Sequence, residues 1–90
     1  MAVEVRVPTI LRPYTGGAKV VEGNGDTIEG LIVDLESRYP GLQERLVDDK
    51  GLRRFVNVYL NDEDVRFLGG LETAVSDGDS VTILPAVAGG

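Results

Sequence analysis

The sequence predicts an α+β domain in which a mixed sheet of about five strands carries one main helix packed across one face. Three observations predict it. Segments rich in β-branched residues occur near both ends of the chain, at Val3, Val5 and Val7 and again in SVTILP over 80–85. A single stretch, from Ile28 to Tyr39, carries apolar residues at helical spacing. Glycine- and aspartate-rich clusters cut the remainder into short strands. A sheet with one helix laid across it buries the apolar side of both.

The elements follow in order. Val3, Val5 and Val7 alternate with Glu4 and Arg6, the period-two pattern of a half-buried strand. Pro8 ends that strand or places it at a margin. PTILRPYTGG (8–17) holds two prolines and two glycines and reads as a loop or wide turn. AKVVE (18–22) reads as a second strand, antiparallel to the first. GNGD (23–26) turns the chain into a helix, with Asp26 as N-cap and Glu29 completing a capping box. Ile28, Leu31, Ile32 and Leu35 line one helix face, and Tyr39 follows a turn later. Gly30 costs that helix about 1 kcal/mol against alanine, so it marks close packing. Pro40-Gly41 stops it. Leu42, Leu46 and Val47 predict a short second helical turn before DDKG (48–51).

RFVNVYLN (54–61) is the strongest strand, with Val56, Val58 and Leu60 on one face and Phe55, Asn57 and Tyr59 on the other. NDED (61–64) reads as a turn, VRF (65–67) as a short strand, LGG (68–70) as a break and LETAV (71–75) as one helical turn. SDGD (76–79) turns into the last strand. The first and last strands are both rich in β-branched residues, which places them centrally and, if adjacent, parallel.

Ninety residues set an expectation of one domain. Hydrophobic residues make up 42% and charged residues 27%, an ordinary balance for a soluble domain. No apolar run approaches the roughly 20 residues that span a bilayer. MAVEVRVP lacks the basic and apolar regions of a signal peptide. The expectation is therefore a cytoplasmic protein with no membrane partner. The chain has no cysteine and no histidine. Disulfides and a cysteine nucleophile are excluded, the commonest general base is missing, and zinc would have only carboxylates to bind. The protein is poorly equipped to be an enzyme and is expected to bind no cofactor. A net charge of -6 argues against nucleic acid, whose phosphates call for basic clusters. It favours a basic protein partner, contacted through acidic turns such as 61–64.

Three constellations have ordinary explanations. GNGDTIEG lacks the third glycine and the Gly-Lys-Ser/Thr of a phosphate loop, so a turn and helix cap explain it. Asn61, Asp62 and Asp64 lack the glycine and distal glutamate of a calcium loop, which leaves a solvated turn. Arg53 and Arg54 could engage an acidic partner, although such a pair is more often a solvated approach to a strand.

The tail is different. At an average glycine frequency of about 7%, a chain ends in Gly-Gly only about once in 200 times. The expectation is a folded domain over 1–84 and a flexible tail over 85–90. A strand running into PAVAGG gives a slim extension that reaches roughly 25 Å from Ile83 to Gly90 at about 3.3 Å per residue. Gly89, without a Cβ, passes where a side chain would clash. A free carboxylate on Gly90, with a reference pKa near 3.5, is an anion at neutral pH and a nucleophile toward the α-phosphate of ATP held by a partner.

The strand–strand–helix–strand–strand order, with DGDSVTILPAVAGG, resembles the ubiquitin-like β-grasp sulfur carriers. That family includes the small subunit of molybdopterin synthase and the thiamine-pathway carrier. The resemblance covers essentially the whole chain. It is most specific at Asp77-Gly78-Asp79, Pro85 and the final Gly89-Gly90. VPTILRPYTGG, FVNVYLNDEDVRF and ILPAVAGG look most like its cysteine-biosynthesis branch. The resemblance implies that Gly90 is the site of adenylation and thiocarboxylate formation, with Gly89 as the tail's passage. It implies three partners: an adenylating and sulfurtransferase enzyme of the ubiquitin-activation type, a PLP-dependent cysteine synthase and a cysteine-releasing metalloprotease. ATP, PLP and zinc would belong to those enzymes. Molybdopterin assembly, protein modification through Gly90 and a plain interaction domain stand as alternatives.

Overall fold

The alternation at the start of the chain folds as β1, Val3–Arg6, with Val3 and Val5 turned inward and Glu4 and Arg6 outward. The structure is a computed structural model that describes residues 2–53 and 56–85. Pro8 stops β1. The following segment is not the open loop that its prolines and glycines predict but a 3-10 helix, Thr9–Thr15, closed by Gly16 at φ 67°. Its tighter helix tolerates Pro13, and Leu11 N–H donates to Pro8 O at 3.0 Å. The chain returns as β2, Val20–Gly23, antiparallel to β1 with Val21 opposite Val5.

The main helix, α1, spans Ile28–Arg38. Its N-cap is Thr27, whose Oγ1 accepts the Gly30 N–H at 3.1 Å, and not Asp26 as the capping-box pattern predicts. A distant segment decides the difference. Thr27 forms a β-bridge with Ala74, and the Val75 N–H donates to Asp26 O at 2.9 Å. Thr27 is therefore extended, and the helix starts one residue later than the Asp26 cap predicts. Nor is Gly30 the closely packed glycine, since a Cβ there would lie 3.5 Å from Thr27 Oγ1, an ordinary contact. The close approach is at Gly25, where a Cβ would lie 2.4 Å from the Leu31 nitrogen.

Ile28, Leu31, Ile32 and Leu35 on the inner face of α1 are all buried, as their spacing predicts. Each such side chain contributes about 1.5–3 kcal/mol by leaving water. The helix ends as expected at Pro40-Gly41, with Gly41 at φ 98°. The Glu36 carboxylate accepts N–H groups from Gly41 and Gln43, capping the short α2, Leu42–Leu46. Leu42 and Leu46 are fully buried. A small hairpin follows, β3 (Val47–Asp48) and β4 (Gly51–Leu52), which the sequence reading did not separate from DDKG.

β5, Val56–Leu60, lies within the predicted strand, with Val56 and Val58 buried and Leu60 partly so. The short strand after it is Glu63–Asp64, β6, rather than VRF. VRF instead forms a 3-10 turn because the Asp64 carboxylate caps it, accepting the Arg66 N–H at 2.9 Å. LETAV contributes only the end of another 3-10 turn, Gly70–Glu72. The last strand is β7, Ser80–Pro85.

The five-stranded sheet has the order β2-β1-β7-β5-β6. β7 is central. It runs parallel to β1, with Val81 beside Val5, and antiparallel to β5, with Ile83 beside Val58. The sheet is therefore mixed, and the first and last strands both lie inside it, as expected. Inward residues of all four long strands meet the helix in one core. Residues 54, 55 and 86–90 lie outside the described residues, so the predicted face of Phe55 and the form of the tail beyond Pro85 do too.

Candidate functional site where the last strand leaves the sheet

Gly89 and Gly90 lie outside the described residues, and so does Arg54. What the structure describes is the base from which they depart. Pro85 is the last residue of β7, one position beyond the expected domain limit, and stands opposite Val56 of β5. Pairing with β1 ends at Thr82, opposite Arg6, because Pro8 turns the first strand aside. Ile83, Leu84 and Pro85 thus pair only with β5 among the described strands.

The space beside them is a groove of about 680 Å³. Ile10, Leu11 and Tyr14 of the 3-10 segment form one wall, and Val56, Leu84 and Pro85 form the other. Leu11 and Val56 belong to the core, whereas Ile10 is 65% and Leu84 45% exposed. Two arginines stand at the groove. Arg45 Nε donates to the Tyr14 hydroxyl at 2.6 Å, and its guanidinium carbon lies 5.4 Å from the Tyr14 ring centroid. Arg53 Nε donates to Glu44 O at 2.7 Å. A third arginine braces the start of β5 from outside. Arg66 donates from Nη2 to Arg53 O at 2.7 Å and to Val56 O at 2.6 Å, and from Nη1 to Asn57 Oδ1 at 2.8 Å. Arg66 thereby ties down the strand that pairs with Pro85.

The acidic turn expected to meet a partner lies at the other end of the sheet. Leu60 pairs with Val81, so Asn61–Asp64 is about 13 Å of strand away from Pro85 at about 3.3 Å per residue. Hydrogen bonds tie it to the start of the last strand. The Asn61 N–H donates to Ser80 O at 2.8 Å, and Asn61 Oδ1 accepts the Ser80 N–H at 2.9 Å. Asn61 Nδ2 reaches Asp79 Oδ1 at 3.1 Å. The turn therefore anchors the beginning of β7. Among the described residues, no group of three or more acidic side chains is placed to hold a metal ion. No helix among them is long and apolar enough to cross a membrane.

Sequence reasoning found the tail and Arg53 but missed Tyr14, Arg45 and Arg66. Tyr14 and Arg45 are 31 residues apart, and no local pattern joins them. The one sequence signal for Arg66 is Asp64, whose cap turns the chain so that the arginine faces β5.

Comparison with known proteins agrees with this architecture. The ThiS family model matches residues 5–90. Sulfur carrier protein CysO of Mycobacterium tuberculosis (strain ATCC 25618 / H37Rv) is 63% identical over 93 positions, which cover 100% of both chains. Small archaeal modifier protein 3 of Haloferax volcanii is 36% identical over 92 positions, again covering 100% of both. A crystal structure of the Amycolatopsis orientalis BexX/CysO complex contains a chain that superposes with a TM-score of 0.94 at 62% identity, covering 99% of this chain and 100% of that one. Relatives named as sulfur carriers are small ubiquitin-like carriers rather than enzymes. The chain belongs to the ThiS family, with the ubiquitin-like β-grasp fold of its sulfur carriers.

Proposed function

We propose that this protein carries sulfur on the carboxylate of Gly90 and delivers it for cysteine biosynthesis in the cytoplasm. The observation that carries the reading is the placement of β7. The strand is central, anchored at Ser80 by Asn61 and at Pro85 by pairing with Val56, and only five residues of sequence, AVAGG, follow its last paired position. A rigid handle with a slim end suits delivery of a carboxylate into another protein's site. The chain has no cysteine or histidine to do chemistry of its own.

In this reading a Gly90 carboxylate oxygen attacks the α-phosphorus of ATP on an adenylating enzyme, and pyrophosphate leaves. A sulfur nucleophile then attacks the acyl carbon, AMP leaves, and the carboxylate becomes a thiocarboxylate. A PLP-dependent cysteine synthase would take that sulfur onto an activated serine. After an acyl shift, a zinc metalloprotease would release cysteine from Gly90. ATP, PLP and zinc stay with those partners. The 63% identity to a named sulfur carrier supports this reading over molybdopterin assembly. The Haloferax relative keeps protein modification as the second reading, which would appear as higher-mass conjugates in cell extract.

The test is ATP–pyrophosphate exchange with the cognate adenylating enzyme. One residue appended after Gly90 moves the carboxylate about 3.3 Å, when reaction needs contact within about 3–3.5 Å. The extended protein, shown untrimmed by intact mass, is expected to fold normally and lose exchange. Gly89→Ala is expected to slow exchange by adding a Cβ to the passage. An extended protein as active as wild type would show that Gly90 is not the reacting residue.

A further inference from the structure

The chain carries 15 acidic residues against 9 basic ones, yet Arg45 and Arg53 stand together at the groove beside Pro85. Among the described residues neither is ion-paired with a carboxylate; the two ion pairs there are Arg6–Glu4 and Arg38–Asp34. Both arginines are held through Nε, by Tyr14 and by the Glu44 carbonyl. That leaves the terminal amino groups of two pre-oriented guanidiniums, the donors that grip a carboxylate bidentately. Ile10 and Leu84, both exposed, add apolar surface to the walls of the same groove.

We propose that this groove docks an acidic segment of the adenylating enzyme, a short stretch bearing a carboxylate beside an apolar side chain. The proposal rests on the sulfur-carrier reading above. Reach fixes the place. Residues 86–90 extend at most about 17 Å at about 3.3 Å per residue, so an enzyme that acts on Gly90 comes that close to Pro85. The groove, lined by Pro85 itself, lies within that distance. Charge fixes the chemistry. The rest of the molecule is acidic and repels an acidic segment, while Arg45 and Arg53 attract it, so the charge distribution orients the carrier tail-first. Glu44, also at the groove, sets one negative charge against two positive ones. It steers the incoming carboxylate to the arginine side.

The experiment measures KM and kcat for the full-length carrier in ATP–pyrophosphate exchange with the adenylating enzyme. The variants are Arg45→Glu, Arg53→Glu, their double and Lys50→Glu, which makes the same charge change on the β3–β4 turn. Melting curves verify folding. The double variant is expected to raise KM at least about tenfold with kcat within about twofold, the mark of lost docking rather than lost chemistry. Lys50→Glu is expected to leave KM within about twofold. If the double variant does not fold, Ile10→Glu places a carboxylate in the same groove from an exposed position and is expected to raise KM likewise. An unchanged KM, or a rise matched by Lys50→Glu, overturns the proposal. A fall in KM also overturns it, by identifying the carrier's own C-terminus as the occupant. Wild-type self-association that the double variant abolishes does so too, by identifying a second copy. No exchange with wild type would sink the carrier reading and the docking proposal together, whereas wild-type exchange with unaltered variants sinks the docking alone.

Discussion

Replacing Gly25 with alanine asks the turn before α1 for space it does not have. The added Cβ would lie 2.4 Å from the Leu31 nitrogen, 2.8 Å from the Gly30 carbonyl carbon and 2.9 Å from Leu31 Cα. All three are backbone atoms, so no side chain can swing clear. Ordinary contact begins near 3.5 Å, so the turn and the helix must separate by roughly 1 Å. That shift loosens the helix face carrying Ile28, Leu31 and Leu35, each only 1% exposed. Overpacking costs about 1–3 kcal/mol, and a backbone clash belongs at the upper end. Alanine recovers about 0.4–1 kcal/mol by restricting the unfolded chain. The net expectation is a loss of about 2–3 kcal/mol, or a fall of about 10–20 °C in melting temperature for a domain of this size. Gly30→Ala has the opposite sign. Its Cβ meets nothing closer than 3.5 Å, and alanine in a helix gains up to about 1 kcal/mol over glycine. Thermal unfolding followed by far-UV circular dichroism measures both. Two variants that shift the melting temperature in the same direction, or a Gly25→Ala protein as stable as wild type, would refute the packing described for this turn.

Leu31→Ala removes a side chain only 1% exposed at the centre of the helix–sheet contact. It is expected to cost about 2–5 kcal/mol in urea denaturation; a cost under about 0.5 kcal/mol, typical of surface sites, would mean that the face is wrong. Thr27→Ala should cost about 1 kcal/mol as loss of the N-cap, whereas Asp26→Ala should leave its carboxylate unmissed; the reverse order in denaturant midpoints would restore Asp26 as the cap. Arg66→Ala removes three hydrogen bonds at the start of β5, and its exposure limits the expected loss to about 1–2 kcal/mol. Hydrogen exchange should accelerate at β5 and at the end of β7 more than in β1; a uniform change across the sheet would deny the brace.

The parts of the fold legible in the sequence are those fixed by local periodicity. Val3 and Val5, the four inward residues of α1 and the Val56–Val58 pair needed only their own spacing to declare a buried face. Local patterns failed where a distant segment decides, or where a neighbouring side chain bonds the backbone and overrides apolar content. Asp26 and Thr27 are both good caps, and the bridge from Thr27 to Ala74 chooses between them. VRF is as apolar as many short strands, but the Asp64 carboxylate bonds the Arg66 N–H and winds it into a 3-10 turn. The sequence points to Gly30 rather than Gly25 as the tight glycine because a helix interior advertises a glycine, whereas a close approach across a turn leaves no trace in the sequence. At the candidate site, AVAGG and Arg53 were visible as composition. Tyr14, Arg45 and Arg66 were not, since each matters only through a contact made after folding.

The most direct measurement is intact and fragment mass spectrometry of the protein after incubation with ATP, its adenylating enzyme and a sulfide donor. The expected result is one oxygen-to-sulfur exchange per chain, located at Gly90, dependent on ATP and absent when a residue follows Gly90. An unmodified Gly90 after the enzyme has consumed ATP on the carrier, or sulfur found on any other residue, would contradict the assignment of this carboxylate as the sulfur-bearing group.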